Sequence, residues 1–228
     1  WMPDSKAILF TDRQNQLSFV DPVSKARKVL ITCPENEIRG VNVSPDGMWL
    51  AYTRTAQNHM SIVYAYNMQT GKETAITEKW YNSSSPVFSK DGKYLVYAAD
   101  RDFNPTYSNT EWNHAYTNMS GIYVTMLAKE TPSPLMSKDG EAPKANKPDA
   151  QKGGDKPDET VNVKIDADGI FDRTVKLLGN MGRASIIYCD GKKVYYSTGR
   201  ETKAIDMATL EDTKLFDGRM SVQGDKAI

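Results

Sequence analysis

Two histidines, His59 and His114, are the only imidazoles in the 228-residue chain, so a serine–histidine hydrolytic device would have to be built on one of them. His59 sits in the polar stretch Gln57-Asn58-His59 between two strand-like runs and reads as a solvated turn residue. His114 lies beside Trp112 and Tyr116, where a structural or binding role outweighs catalysis. No Gly-x-Ser-x-Gly elbow occurs. The sequence assigns no catalytic residue.

Metal and cofactor chemistry fare no better. Asp100, Asp102 and Asn104 alternate as calcium ligands do, and Asp166, Asp168 and Asp172 form a second acidic group. Neither continues to the glycine and distal glutamate of a calcium loop, so these acids are expected to cap turns or to pair with Arg101 and Arg173. Cys33 and Cys189 are too few for a disulfide framework or a zinc site. Gly179-Asn180-Met181-Gly182 reads as a connection between structural units and offers no phosphate cradle. No metal and no cofactor are expected.

Aromatic residues are the better lead. Phe103, Tyr107, Trp112, His114 and Tyr116 share a polar loop and could meet a peptide or a neighbouring domain, since such rings combine apolar area with a polar handle. Packing over the end of the domain is the alternative for the same loop. Tyr64, Tyr66, Tyr94, Tyr97, Tyr195 and Tyr196 stand instead in alternating runs and are expected in the core.

The elements that must position these residues are strands. Hydrophobic residues make up 39% of the chain and lean towards aromatic and β-branched types. Lys plus Arg equals Asp plus Glu at 29 each, a balance that argues against a nucleic-acid partner. No apolar run approaches the roughly 20 residues of a membrane-spanning helix.

A repeat organises the chain. Pro3-Asp4, Pro45-Asp46-Gly47 and Asp91-Gly92 each open onto an alternating apolar run, and Asp190-Gly191 opens a shorter one. The first three aspartates lie 42 and 45 residues apart, the period of a four-stranded propeller blade. Asp-Gly suits a tight hairpin, and the alternation predicts a strand with one buried and one open face. Further strands are predicted at Leu17–Asp21, Ala26–Ile31, Ser61–Asn67, Glu73–Thr77, Gly121–Leu127, Val161–Ile165, Arg173–Leu178, Lys203–Met207 and Asp212–Phe216.

The predicted fold is therefore all-β: propeller blades of four antiparallel strands, about four of them, in an incomplete ring. Blades are placed at 1–35, 36–79, 80–178 and 179–220, with the start of a further blade at 221–228. Such a set does not close, so the sequence is expected to be part of a larger protein. The third blade carries the aromatic insertion at 100–120 and a linker at 137–160. The linker has 11 charged residues among 24 and no aromatic, Val, Ile, Leu or Met, which predicts disorder.

The Ser-Pro-Asp-Gly frame resembles the TolB-type, WD40-like propeller repeat. Ala99-Asp100-Arg101-Asp102-Phe103-Asn104-Pro105, Ile122-Tyr123-Val124-Thr125, Pro132-Ser133-Pro134-Leu135 and Val163 through Arg173 resemble the second propeller of the tricorn protease family. That resemblance implies a large serine peptidase with two propellers, a PDZ-like domain and catalytic domains downstream. No residue here matches the family's catalytic motifs, so none is carried over. The implied role is non-catalytic: substrate access, channelling or domain docking, with a peptide substrate or neighbouring domains of the same parent as partners and an oligomeric parent. Alternatives are a stand-alone TolB-like interaction propeller and, more weakly, the propeller of a prolyl-oligopeptidase-type hydrolase. The compartment, periplasmic or cytoplasmic, stays open.

Overall fold

The computed structural model describes residues 1–2, 4–34, 36–107, 114–135, 161–223 and 226–227, with His114, Gln223, Lys226 and Ala227 described through their backbone. The Ser137–Thr160 linker expectation, and Trp112, lie outside the described residues. The fold is all-β, and among the described residues the helical content is one 3₁₀ turn at Phe171–Arg173.

Strands β1 (Ile8–Thr11), β2 (Gln16–Val20) and β3 (Arg27–Thr32) form a three-stranded antiparallel sheet. A four-stranded sheet follows from β4 (Arg39–Val43), β5 (Trp49–Thr55), β6 (Ser61–Asn67) and β7 (Glu73–Ala75). The third joins β8 (Ser83–Phe88), β9 (Tyr94–Asp100), β12 (Ser120–Met126) and β13 (Thr174–Met181). The small pair β10 (Pro105–Tyr107) and β11 (His114–Tyr116) stands between β9 and β12. The fourth sheet comprises β14 (Ser185–Cys189), β15 (Lys193–Thr198), β16 (Glu201–Asp206) and β17 (Asp212–Asp217). A short pair, β18 (Val222–Gln223) and β19 (Lys226–Ala227), comes last.

The turns form for the reason their composition suggests, with one addition. Gly47 and Gly92 both sit at φ 71°, where a side chain is costly. Asp46 Oδ1 accepts the backbone N–H of Met48 at 3.0 Å and the Ser44 hydroxyl at 2.5 Å. Asp91 does the same with Lys93 and Ser89. The fully buried Ser44 and Ser89 hydroxyls also accept the backbone N–H of Trp49 and Tyr94, each at 2.9 Å, so the serine closes the turn from inside. The fourth turn has Tyr188 at that position and relies on Asp190 alone, which accepts from Lys192 and Lys193.

The expectation of one buried face per strand is corrected by the stacking. In β9, Tyr94, Val96 and Ala98 enter a core shared with Ile186, Val194, Tyr196 and Ile205 of the fourth sheet. Leu95, Tyr97 and Ala99 enter a second core with Ala51, Val63 and Ala65 of the second sheet. A third core joins Leu17 and Cys33 to Leu50, Tyr52, Ile62 and Tyr64. Each middle sheet is covered on both sides, so successive residues are buried alternately left and right. This is blade-on-blade packing in chain order, an arc of four blades.

Two local expectations also change. Val161–Ile165 pairs with no strand among the described residues; it lies in the seam between the second and third sheets, where Val163 is buried. Gly179-Asn180-Met181 belongs to β13 rather than to an inter-blade connection, which begins at Gly182.

Candidate functional site

The aromatic insertion is anchored at its base. The strand ends that bracket it, Asp100 of β9 and Ser120 of β12, pair directly, and the Ser120 hydroxyl donates to the Asp100 carboxylate. Asp102 is buried: its carboxylate accepts from Lys176 Nζ and the backbone N–H of Asn180, both on β13, and its own N–H donates to the Met119 carbonyl at 3.0 Å. Burial opposes the charge of Asp102, but the Lys176 and Asn180 hydrogen bonds outweigh it and hold the carboxyl below its ordinary value. The Tyr123 hydroxyl, beside Asp102, is pushed up to about 12 by burial and by that negative charge.

Above this base, β10 and β11 form a hairpin in which Tyr107 faces His114 and Pro105 faces Tyr116. The Phe103 and Tyr116 rings meet with centroids 5.6 Å apart at 47°. Phe103 is 75% exposed, Tyr107 66% and Tyr116 54%, so these rings are presented to solvent rather than folded over the blade. The loop read from sequence is thus a hairpin that brings Phe103 and Tyr116 together.

The acidic groups have other partners than the expected arginines. Arg101 donates to Glu78 at 3.3 Å and lies over the rings of Tyr81 and Tyr123 at 5.3 and 5.1 Å. Asp168 pairs with Lys129 at 2.6 Å, and Asp166 with Lys164 at 3.4 Å. Arg173 donates to the backbone carbonyls of Met126, Leu127, Asp166 and Asp168, bridging the chain where it re-enters the blade. Among the described residues no three acids, histidines or cysteines converge as a metal site. His59 occupies an exposed turn at φ 63°, its N–H donating to the Ala56 carbonyl.

Sequence reasoning did not find the cavity at the roots of the hairpin. The edge strand β8 neighbours both β4 and β14, and a cavity of about 550 Å³ opens where the three begin. Arg39, Ser84 and Arg183 line it, each placed seven residues before the turn aspartate of its blade. Asp100 and Ser120, the roots of the hairpin, line it too. The signal was in the repeat register: the positions seven residues before the turn aspartates of the second, third and fourth blades line a common space.

A family model for the tricorn protease second β-propeller domain matches residues 1–218. The chain belongs to that family. Tricorn protease homolog 1 of Streptomyces coelicolor is 25% identical over 133 residues, which cover 58% of this chain and 12% of the relative. The tricorn protease of Thermoplasma volcanium is 24% identical over 140 residues, 58% of this chain and 13% of the relative. The chain therefore spans a small part of the length of these tricorn relatives. In three dimensions it resembles the crystal structure of the tricorn protease with a TM-score of 0.75 at 16% identity, covering 98% of this chain and 23% of that one. TolB from Acinetobacter baumannii gives 0.59 at 16% identity, with 96% and 44% covered. Both structural likenesses speak to the fold, and the tricorn propeller is the assignment expected from the residues around Asp100–Pro105 and Val163–Arg173.

Proposed function

We propose that this chain is a non-catalytic propeller region of a tricorn-like serine peptidase and that it acts in substrate access or domain docking. The observation that carries the reading is the hairpin whose roots, Asp100 and Ser120, line the cavity. Its buried Asp102 base fixes it to β13, and its Phe103–Tyr116 pair offers exposed aromatic area. Phe103, Tyr107, Trp112, His114 and Tyr116 are the contact residues in this reading, with an extended peptide or a neighbouring domain of the parent as partner.

The test is a full-length Phe103→Ala/Tyr116→Ala variant assayed on a long peptide and on a short chromogenic one. Slower cleavage of the long peptide by several-fold, with the short one unchanged, supports an access role. Equal rates on both substrates with unchanged assembly remove the hairpin from either role. Stoichiometric labelling of the isolated chain by an active-site serine reagent would overturn the non-catalytic reading.

The likeness to TolB favours a second reading, a stand-alone interaction propeller. Peptide mapping of the native protein beyond Ile228 separates the two. A PDZ-like and a peptidase segment support the first, and a native end without an enzyme domain supports the second.

A further inference from the structure

The cavity where β4, β8 and β14 begin carries an inference that does not depend on whether the propeller serves a peptidase. Its wall is polar and its charge uneven. Arg39 and Arg183 bring two positive charges and Asp100 one negative charge, part of whose hydrogen-bonding capacity is already used by Ser120. Arg39 is shared with the exposed Glu37 at 3.1 Å. Arg183 forms no ion pair with any described residue, and it also borders a second cavity of about 520 Å³ with Ser185 and Arg219.

The second observation is independent of charge. Thr53, directly paired with Arg39 across β4 and β5, lines the same cavity and is 7% exposed. Its hydroxyl oxygen is buried without a hydrogen-bond partner, the one such side-chain atom among the described residues. A buried hydroxyl left unpaired is costly, and in a native protein it needs an explanation. A ligand that accepts from Thr53 supplies one.

We propose that this cavity is an oxyanion-binding site, with Arg39 and Arg183 supplying the charge and Thr53, Ser84 and Ser185 the neutral donors for a carboxylate or phosphate group. The guanidinium fork matches either group in geometry, and hydroxyls complete the remaining lone pairs. Register supports the assignment: Arg39, Ser84 and Arg183 each stand seven residues before the turn aspartate of successive repeats and line the same cavity.

The experiment is isothermal titration of the purified full-length protein with inorganic phosphate and, separately, with acetate, at ionic strength held constant with sodium chloride. Saturable binding of at least one anion is expected, weakened tenfold or more by Arg183→Gln and several-fold by Thr53→Val. Arg183 is exposed and forms no ion pair with a described residue, so the Arg183→Gln melting temperature serves as the fold control and is expected to match the parent. Phosphate binding alone assigns a phosphorylated ligand, and acetate binding alone or alongside phosphate assigns a carboxylate. No saturable binding of either anion, or equal binding by Arg183→Gln, overturns the proposal.

Discussion

The carboxylate of Asp46 accepts the backbone N–H of Val163 at 2.8 Å across 117 residues of sequence, and the indole of Trp49 donates to the carbonyl of the same residue at 3.0 Å. One repeat turn thus has two tasks. Oδ1 of Asp46 closes its own hairpin while Oδ2 clasps the segment that returns to the third blade. The clasp satisfies both backbone groups of Val163, which has no strand partner among the described residues, and places its side chain in the core between two blades.

Replacing Asp46 by alanine should therefore cost more than a lost turn. About 2–4 kcal/mol is expected, from the turn bonds and from the stranded Val163 N–H. Asp4→Ala, in the exposed first turn where Asp4 accepts the Lys6 N–H, should stay within about 0.5 kcal/mol. Urea denaturation of the two variants checks the contrast, and similar losses in both would remove the clasp from the account.

The same seam shows what sequence could and could not reveal. The Asp-Gly turns, the strands after them and the buried tyrosines Tyr64, Tyr94, Tyr97 and Tyr196 were legible because turn chemistry and alternation are local. Val161–Ile165 alternates like a strand, yet its backbone is held by side chains from another blade, which no local pattern encodes. The cavity escaped for a similar reason. Arg39 and Arg183 lie 144 positions apart, and only the fold brings both to one cavity.

Gly92 gives a sharper test of that seam. A Cβ there would stand 2.7 Å from Val161 Cγ1 and 2.8 Å from Val163 Cγ2, at a φ of 71°. Gly199 has the same φ and nothing within 4 Å. Gly199→Ala should show backbone strain alone, about 1–2 kcal/mol. Gly92→Ala should add about 1–3 kcal/mol of overpacking to that strain. Equal melting temperatures for the two variants would mean that the returning segment does not press on the turn.

Asp102 makes hairpin anchoring depend on pH. Its folded-state pKa lies below the unfolded one, so its contribution to stability is complete above the ordinary carboxylate value of about 4. That contribution is lost as the pH falls through the depressed folded value. Asp102→Asn should be less stable than the parent by about 1–3 kcal/mol at pH 7, and the gap should shrink towards pH 3. Denaturation curves at the two pH values measure it, and a gap that does not change with pH removes the ionised carboxylate as the cause.

The two thiols supply the last prediction, a readout of blade integrity. Cys33 and Cys189 are both free and buried, Cys33 in the core between the first two sheets and Cys189 between the third and fourth. Burial and the nearby carboxylates of Asp190 and Asp91, opposed by a hydrogen bond from the Gly191 N–H, push the Cys189 thiol up to about 12. Thiolate is the reactive form, so Cys189 should be silent to a disulfide reagent at pH 8 for both access and ionisation reasons. Neither cysteine should react in the native protein and both should react in denaturant. Because the two report on different seams, partial denaturation that exposes one before the other would reveal which blade contact opens first. Rapid native labelling of Cys189 would show that the third and fourth blades separate readily.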